Sequence, residues 1–264
     1  MDLQLTDKTA LISGSTAGIG YAIAKQLASE GVRVYVNGRT EARVNEAVNQ
    51  IRRETGNINV TGIVADFARP EEIDALIRHL PEIDILINNV AIFEPKNFED
   101  IPDTDWTRFY EINVLSGVRL SRAYFGGMLR RNWGRIIFIS SESAVNIPTE
   151  MIHYGMTKAA QLAVSRGLAE LTRGTGVTVN SVLPGPTLSE GVTGFVEQLA
   201  VQGQKSTDEV KKEFFATMRP SSIIQRFLSP EEVANMVTYL CSPLASATNG
   251  AAIRAEGGLL KSII

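Results

Sequence analysis

A single cysteine, Cys241, in a chain of 264 residues leaves no internal disulfide possible, and the only histidines are His79 and His153. A multi-histidine or cysteine-rich metal site is therefore not available. Cys241, in Met236-Val237-Thr238-Tyr239-Leu240-Cys241, reads as a small buried residue. Nowhere do 18 apolar residues run together, which argues against a membrane-spanning helix. Met1-Asp2-Leu3-Gln4-Leu5 has no basic region leading into an apolar core, so a cytoplasmic protein is expected. Basic clusters are missing as well: the net charge is −3, and Arg52-Arg53, Arg130-Arg131 and Lys211-Lys212 are pairs scattered along expected helices. That pattern argues against a nucleic-acid-binding face. There is no internal repeat, low-complexity tract or linker.

What remains is ordinary globular material, 44% hydrophobic and 21% charged, of a length suited to one α/β domain with a large core. Short apolar runs suited to buried strands fall at Thr9 to Ser13, Val32 to Asn37, Val60 to Val64, Ile83 to Asn88, Arg135 to Ser140, Val177 to Leu183 and Ala251 to Arg254. Helical stretches lie between them. Such alternation demands a parallel sheet covered on both faces, with right-handed crossovers. The expected fold class is thus α/β, a doubly wound parallel sheet of about seven strands. Sheets of this kind bind ligands beyond the carboxyl ends of their strands, near the point where strand order reverses. Gly14, Arg39, Asp66, Asn88, Ser141 and Pro184 each follow one of the first six strands.

Two local patterns carry chemistry. Gly14-Ser15-Thr16-Ala17-Gly18-Ile19-Gly20 joins the first strand to a helix, so its glycines let backbone N–H groups approach a diphosphate at the positive end of the helix dipole. The spacing is Gly-x3-Gly-x-Gly with no following Gly-Lys-Ser/Thr, which argues against a nucleoside triphosphatase. Farther on, Tyr154-Gly155-Met156-Thr157-Lys158 places a phenol and an ammonium one helical turn apart on the same face. A free tyrosine titrates near about 10, and a fixed cation beside it favours the phenolate. His153 points about 100° away on the same helix and receives no catalytic role. No Gly-x-Ser-x-Gly elbow is present, so a serine hydrolase is not supported.

Together these residues resemble the short-chain dehydrogenase/reductase family, in its single-domain branch of about 250 residues, from about Thr6 to the C-terminus. The family's Thr-Gly-x3-Gly-x-Gly appears as Ser13-Gly14-x3-Gly18-x-Gly20, and its Asn-Asn-Ala-Gly as Asn88-Asn89-Val90-Ala91, where Val90 and Ala91 add bulk. The resemblance implies a Rossmann-like NAD(P)-binding domain over residues 1–264 and a catalytic set of Asn113, Ser141, Tyr154 and Lys158. In that reading Tyr154 moves the proton, Ser141 hydrogen-bonds the reacting oxygen, Lys158 lowers the phenol pKa and holds the nicotinamide ribose, and Asn113 helps hold a water linked to the lysine. From the residues alone, Asn113 reads as an exposed polar position on a long helix, while Ser140 and Ser143 could cap or pack.

The cofactor-binding set implied by the resemblance is Gly14, Ser15, Gly18, Ile19, Gly20, Arg39, Asp66, Asn88, Tyr154, Lys158, Pro184 and Thr187, with backbone groups of Ala91 beside them. Asp66 either meets the adenine amino group or caps the helix that begins near Pro70. NADP(H) is expected over NAD(H). Gly38 stands where NAD users of the family carry an acidic residue, and Arg39 offers a fork of donors to a 2′-phosphate, unless it only solvates the next helix.

Residues 188–229, with amphipathic stretches at Phe195 to Val201 and Val210 to Met218, look like the family's lid over the substrate or, equally, a subunit contact. Phe93, Val145, Ile147 and Met151 suggest a moderately apolar carbonyl compound or alcohol. A 3-oxoacyl thioester on acyl carrier protein is a further possibility if Arg130, Arg131 and Arg173 bind that acidic partner, although helix ends favour arginine without one. A homotetramer is expected from apolar surface on the helical stretches 103–131 and 152–172. The rival to an enzyme is a dinucleotide-binding sensor or scaffold that kept the fold and lost the reaction.

Overall fold

Seven parallel strands form one sheet in the computed structural model, which describes residues 1–263 and every side chain among them except that of Phe195. The strands are β1 (Thr9–Ile12), β2 (Arg33–Gly38), β3 (Val60–Val64), β4 (Ile85–Asn88), β5 (Gly134–Ile139), β6 (Val177–Pro184) and β7 (Ala252–Ala255). Their spatial order is β3-β2-β1-β4-β5-β6-β7, so the order reverses between β1 and β4. Each strand lies within two residues of its expected place, the usual scatter at element ends.

The covering helices are α1 (Gly18–Ser29), α2 (Glu41–Thr55), α3 (Pro70–His79), α4 (Asp103–Tyr110), α5 (Ser116–Arg130), α6 (Ile152–Glu170), α7 (Glu190–Gly203), α8 (Thr207–Thr217) and α9 (Pro230–Cys241). Because successive strand residues face opposite ways, each strand feeds two cores. Ala10, Ile12, Ile85, Ile87, Ile137 and Ile139 pack with α1, α2 and α9, whereas Leu11, Leu86, Ile136 and Phe138 pack with α3, α5 and α6. Both faces are therefore dry, which is why the strands read as continuous apolar runs. Cys241 closes α9 within the first core and is fully buried.

The stretch from Asp103 to Arg130 is helical throughout but not uniform: a π turn, Glu111–Leu115, separates α4 from α5. It breaks the regular i,i+4 ladder and rotates the following residues, so Asn113 is buried rather than an exposed helix position. Residues beyond β6 form a lobe with its own core of Val196, Ala200, Val210, Phe215 and Phe227. Its base is tied by backbone bonds from Leu188 N to the Leu228 carbonyl and from Leu228 N to the Pro186 carbonyl, both 2.8 Å. Among the described residues, no helix is long and apolar enough to cross a membrane.

Candidate active site

The turn after β1 and the segment after β4 meet where the strand order reverses. Gly14 takes φ +61°, a conformation open to glycine. At Gly20 a Cβ would lie 2.5 Å from both Asn89 Nδ2 and the Gly14 carbonyl oxygen, so only glycine lets the turn close. Asn89 fastens that closure, its Nδ2 donating to the carbonyls of Ser13 at 3.0 Å and Gly14 at 2.9 Å. The Ser13 hydroxyl accepts from Asn89 N and Val90 N, and the bulk of Val90 fits directly over Gly14.

Asn37, which the sequence did not single out, braces the turn from the other side. Its Oδ1 accepts from Gly14 N at 2.9 Å, while its Nδ2 donates to the carbonyls of Ile63 and Ala65. Ser15 is turned inward, donating to the Ile12 carbonyl at 2.7 Å and accepting from Asn37 N at 2.9 Å. At the start of α1, Ala17 provides no side-chain cap and the first turn holds no acidic residue. The glycine cradle and the uncapped N–H groups fit a diphosphate, and so the phosphates of a nicotinamide dinucleotide.

Above this turn lies a cavity of about 410 Å³. Of the residues expected to form the site, Gly18, Ile19, Gly20, Ser141, Tyr154, Lys158, Pro184 and Thr187 line it, together with Asn89 and Ala91. Gly14, Ser15, Arg39, Asp66, Asn88 and Asn113 do not. Asn88 is buried against α5, its Nδ2 donating to Ser121 at 3.2 Å; Asn89 takes the place at the cavity. Asp66 Oδ1 accepts from Ala68 N at 3.0 Å, closing a local turn, and the N-cap of α3 is Arg69. The capping alternative for Asp66 is thus not what the structure shows. Arg39 is exposed at the end of β2. Beside Gly38 the Thr16 methyl fills the space, 2.5 Å from where a Cβ would stand.

Ser141 follows β5 in extended backbone, and its hydroxyl accepts from Ser143 N at 3.1 Å. Its neighbours have other partners: Ser140 donates to the Lys158 carbonyl and Ser143 to Glu142 Oε1. Tyr154 and Lys158 share one face of α6, with Nζ 5.5 Å from the centre of the phenol ring. His153 packs instead against Phe109 and Trp106, away from the cavity.

Burial pushes the Tyr154 phenol up to about 12; a hydrogen bond with Ser141 pulls down, Glu142 pushes up and Arg219 pulls down. Burial pulls Lys158 down to about 7. The expected lowering of the phenol by the lysine is therefore not seen here. A buried lysine with no carboxylate partner holds its charge only in part near neutral pH, and so exerts little field.

Lys158 Nζ donates to the Ile139 carbonyl at 2.8 Å and to Gln161 Oε1 at 3.3 Å, and Gln161 Nε2 donates to the Asn113 carbonyl at 2.6 Å. A glutamine side chain thus joins lysine to asparagine, where the resemblance implied a water. The Asn113 amide is used elsewhere, accepting from Ile92 N and donating to Thr157 Oγ1.

Two of the four apolar residues expected near the cavity line it. Phe93 and Met151 line it, but Val145 and Ile147 are exposed outside. Glu142, Glu150 and Arg219 line it too, with Arg219 Nε on Glu142 Oε1 at 3.1 Å and Nη1 on Glu150 Oε1 at 3.3 Å. Burial pushes the Glu142 carboxyl up, and Arg219 opposes that. Phe214, Met218, Arg219 and Phe227 of the lobe line the cavity as well. No pattern around Glu142 or Arg219 marked them, since the two meet across 77 residues.

The model for the short chain dehydrogenase family matches residues 8–200. An uncharacterised oxidoreductase of Bacillus subtilis, YvaG, is 48% identical over 263 residues, with all of both chains covered. D-beta-hydroxybutyrate dehydrogenase of Cupriavidus necator is 32% identical, covering 96% of this chain and 98% of its own. The structure is similar to that of L-sorbose reductase from Gluconobacter frateurii, solved with NADPH and L-sorbose, at a TM-score of 0.94 and 31% identity with both chains fully covered. The glycine turn, the Ser141, Tyr154 and Lys158 cavity and these likenesses agree: the chain belongs to the short chain dehydrogenase family and is a nicotinamide-dependent oxidoreductase of alcohol and carbonyl groups.

Proposed function

We propose that this chain reduces a small carbonyl compound, or oxidises the matching alcohol, with NADP(H) preferred and with Ser141, Tyr154, Lys158 and Asn113 as its functional set. The observation that carries the proposal is the convergence of Ser141, Tyr154 and Lys158 on one cavity beside the glycine turn. When bound, the nicotinamide supplies or accepts the hydride. Tyr154 gives its phenolic proton to the carbonyl oxygen or takes it from the alcohol, and Ser141 donates a hydrogen bond to the same oxygen. Lys158 supplies the ribose contact, and its charge falls on the phenol in the protonated form. Asn113 acts at a distance, its carbonyl holding Gln161 and Gln161 holding the lysine. Gly14, Gly18 and Gly20 shape the phosphate cradle, and Ile19, Asn89, Pro184 and Thr187 bound the cofactor's place.

Support for NADP(H) comes from Arg39, exposed after β2, the lack of an acidic side chain at Gly38, and the NADPH held by the structurally similar L-sorbose reductase. The arginines expected to dock an acyl carrier protein lie away from the cavity. Helix α5 leads directly into β5, so Arg130 and Arg131 lie at the amino end of the sheet, opposite the cavity; Arg131 is also paired with Glu82.

A homotetramer is proposed on the half-exposed stripes Val118, Phe125 and Leu129 of α5 and Met156, Ala160 and Val164 of α6. A monomer by light scattering at micromolar concentration would remove that part.

The test is a panel of carbonyl compounds and alcohols followed by nicotinamide absorbance, with Tyr154→Phe beside the parent. Turnover should fall by about 10²–10⁴-fold in the variant while dinucleotide affinity persists. Near-normal turnover by Tyr154→Phe, or a parent that binds the dinucleotide and turns over nothing, would favour the scaffold reading.

A further inference from the structure

Glu142 stands directly after Ser141 and is 3% exposed; the arginine that meets it, Arg219, is 7% exposed. Arg219 Nε donates to Glu142 Oε1 at 3.1 Å, and its Nη1 donates to Glu150 Oε1 at 3.3 Å. The Ser143 hydroxyl donates to the same Glu142 oxygen at 3.1 Å, whereas Glu142 Oε2 is buried with no partner. A buried carboxylate is costly unless an opposite charge and hydrogen bonds offset it, so the charge of Glu142 depends on Arg219. That arginine comes from the lobe, 77 residues further along the chain.

The pair stands beside the proton-transfer residues. Glu142 opens the short helical turn Glu142–Ala144, in which Ser143 N donates to the Ser141 hydroxyl at 3.1 Å. With its oxygen engaged as an acceptor there, Ser141 keeps its O–H for the phenol and the reacting oxygen. The turn also packs on α6 at the residue after Tyr154, since a Cβ on Gly155 would lie 3.0 Å from the Ser143 carbonyl oxygen. Among the described residues, the charged groups that face the phenol are Glu142 from this turn, Arg219 from the lobe and Lys158 from α6, with Nζ 5.5 Å from the ring centre. Phe93 meets the ring edge to face, 6.3 Å between centres, and carries no charge. Away from bulk water such charges are felt more strongly than on the surface.

We infer that Arg219 is a positioning residue for the reaction: through Glu142 it fixes the turn that orients the Ser141 hydroxyl, and it offsets the carboxylate charge that would otherwise stand unopposed beside the Tyr154 phenol. The inference rests on the oxidoreductase reading above for the use made of that phenol. Proton transfer is thereby coupled to docking of the lobe. With Arg219 withdrawn, Glu142 holds back the loss of the phenolic proton and the turn loses an anchor; with Arg219 docked, the lobe supplies the opposing charge.

The experiment titrates the phenol itself and needs no substrate. Position 154 is made 3,5-difluorotyrosine, whose phenol ionises at lower pH than that of tyrosine, and its fluorine NMR signal is followed from pH 6 to 11 without dinucleotide. Buried glutamates titrate no higher than about 8–9, so Glu142 is ionised through the upper part of that range even without its arginine. Arg219→Met should raise the midpoint by about one unit, and Glu142→Gln should lower it by about as much. Arg219→Lys, which keeps the charge, should stay near the parent. A fold that has merely loosened admits water and lowers the raised phenol in every variant, so a fall in Arg219→Met overturns the inference, as do unmoved midpoints in Arg219→Met and Glu142→Gln. Where Arg219→Met does not fold, the other two decide: a midpoint not lowered in Glu142→Gln, or lowered in Arg219→Lys, overturns it. Absence of turnover across the carbonyl panel would remove the oxidoreductase reading and leave these midpoints where they are, whereas an active parent without the opposed shifts removes the inference alone.

Discussion

Gln161 donates to the Asn113 carbonyl at 2.6 Å while its own oxygen accepts from Lys158 at 3.3 Å, so one buried side chain spans the lysine and the π turn before α5. This makes Gln161 a positioning residue whose effect reads out in the titration of Lys158. In Gln161→Glu a carboxylate beside the ammonium favours the charged form, and the pH–rate limb belonging to the lysine should move up by about one unit or more. In Gln161→Leu the lysine keeps a single acceptor, and the limb should move down. Activity profiles between pH 5 and 10 check both; unmoved limbs alongside a uniform fall in rate would show that Gln161 only packs.

The lowered Lys158 also sets a stability profile. Its value falls from the ordinary 10.5 to about 7 on folding. Between those values the unfolded chain binds the proton and the folded one does not, so stability rises with pH across that window and is flat in this contribution below about 7. Lys158→Met should lose this slope, up to about 1.4 kcal/mol per pH unit. Chemical denaturation of parent and variant at pH 7 and 9, without dinucleotide, gives the difference; parallel profiles would contradict the low lysine value.

Cofactor preference should follow Arg39 and the pair Thr16 and Gly38. Arg39→Ala should cut the preference for NADP(H) by about 10- to 100-fold. Gly38→Asp alone would thrust its Cβ to 2.5 Å from the Thr16 methyl, so it should bind both dinucleotides poorly. Gly38→Asp with Thr16→Ser removes that methyl and should turn the preference toward NAD(H). Comparing kcat/KM for the two cofactors in all three variants checks this, and an unchanged ratio in Arg39→Ala would exclude the loop as selector.

Gly20→Ala tests the closure of the glycine turn. The added methyl meets Asn89 Nδ2 and the Gly14 carbonyl at 2.5 Å, and neither is free to yield because each bonds the other. The expected cost is about 1–3 kcal/mol in denaturant unfolding, with dinucleotide affinity reduced as well. Wild-type affinity in a folded Gly20→Ala protein would show that the turn can open.

The strands were legible because each is buried on both faces and so reads as an unbroken apolar run, and the place of the site followed because the glycine turn, Asn88, Ser141 and Pro184 sit at strands' carboxyl ends. Tyr154 and Lys158 were legible for a similarly local reason: four residues on a helix bring side chains to one face whatever surrounds them. Asn113 was not. Its burial depends on the π turn, a local rewinding that packing against α6 and the Ile92 segment stabilises and that no residue pattern announces. Nor was the charge state of Lys158, because desolvation is a property of everything packed around a group and not of its neighbours in the chain. Gln161, Asn37, Glu142 and Arg219 lay beyond reach for the same cause. Each acts through a partner brought close by the tertiary fold, Asn113 for Gln161, the glycine turn for Asn37, and for Glu142 an arginine from the lobe 77 residues away. Sequence by itself determined the sheet, the glycine turn and the shared helix face of Tyr154 and Lys158, which rest on periodicity and short spacing. Only the tertiary structure decided which polar groups are buried together, and hence the charge and the bracing of the site.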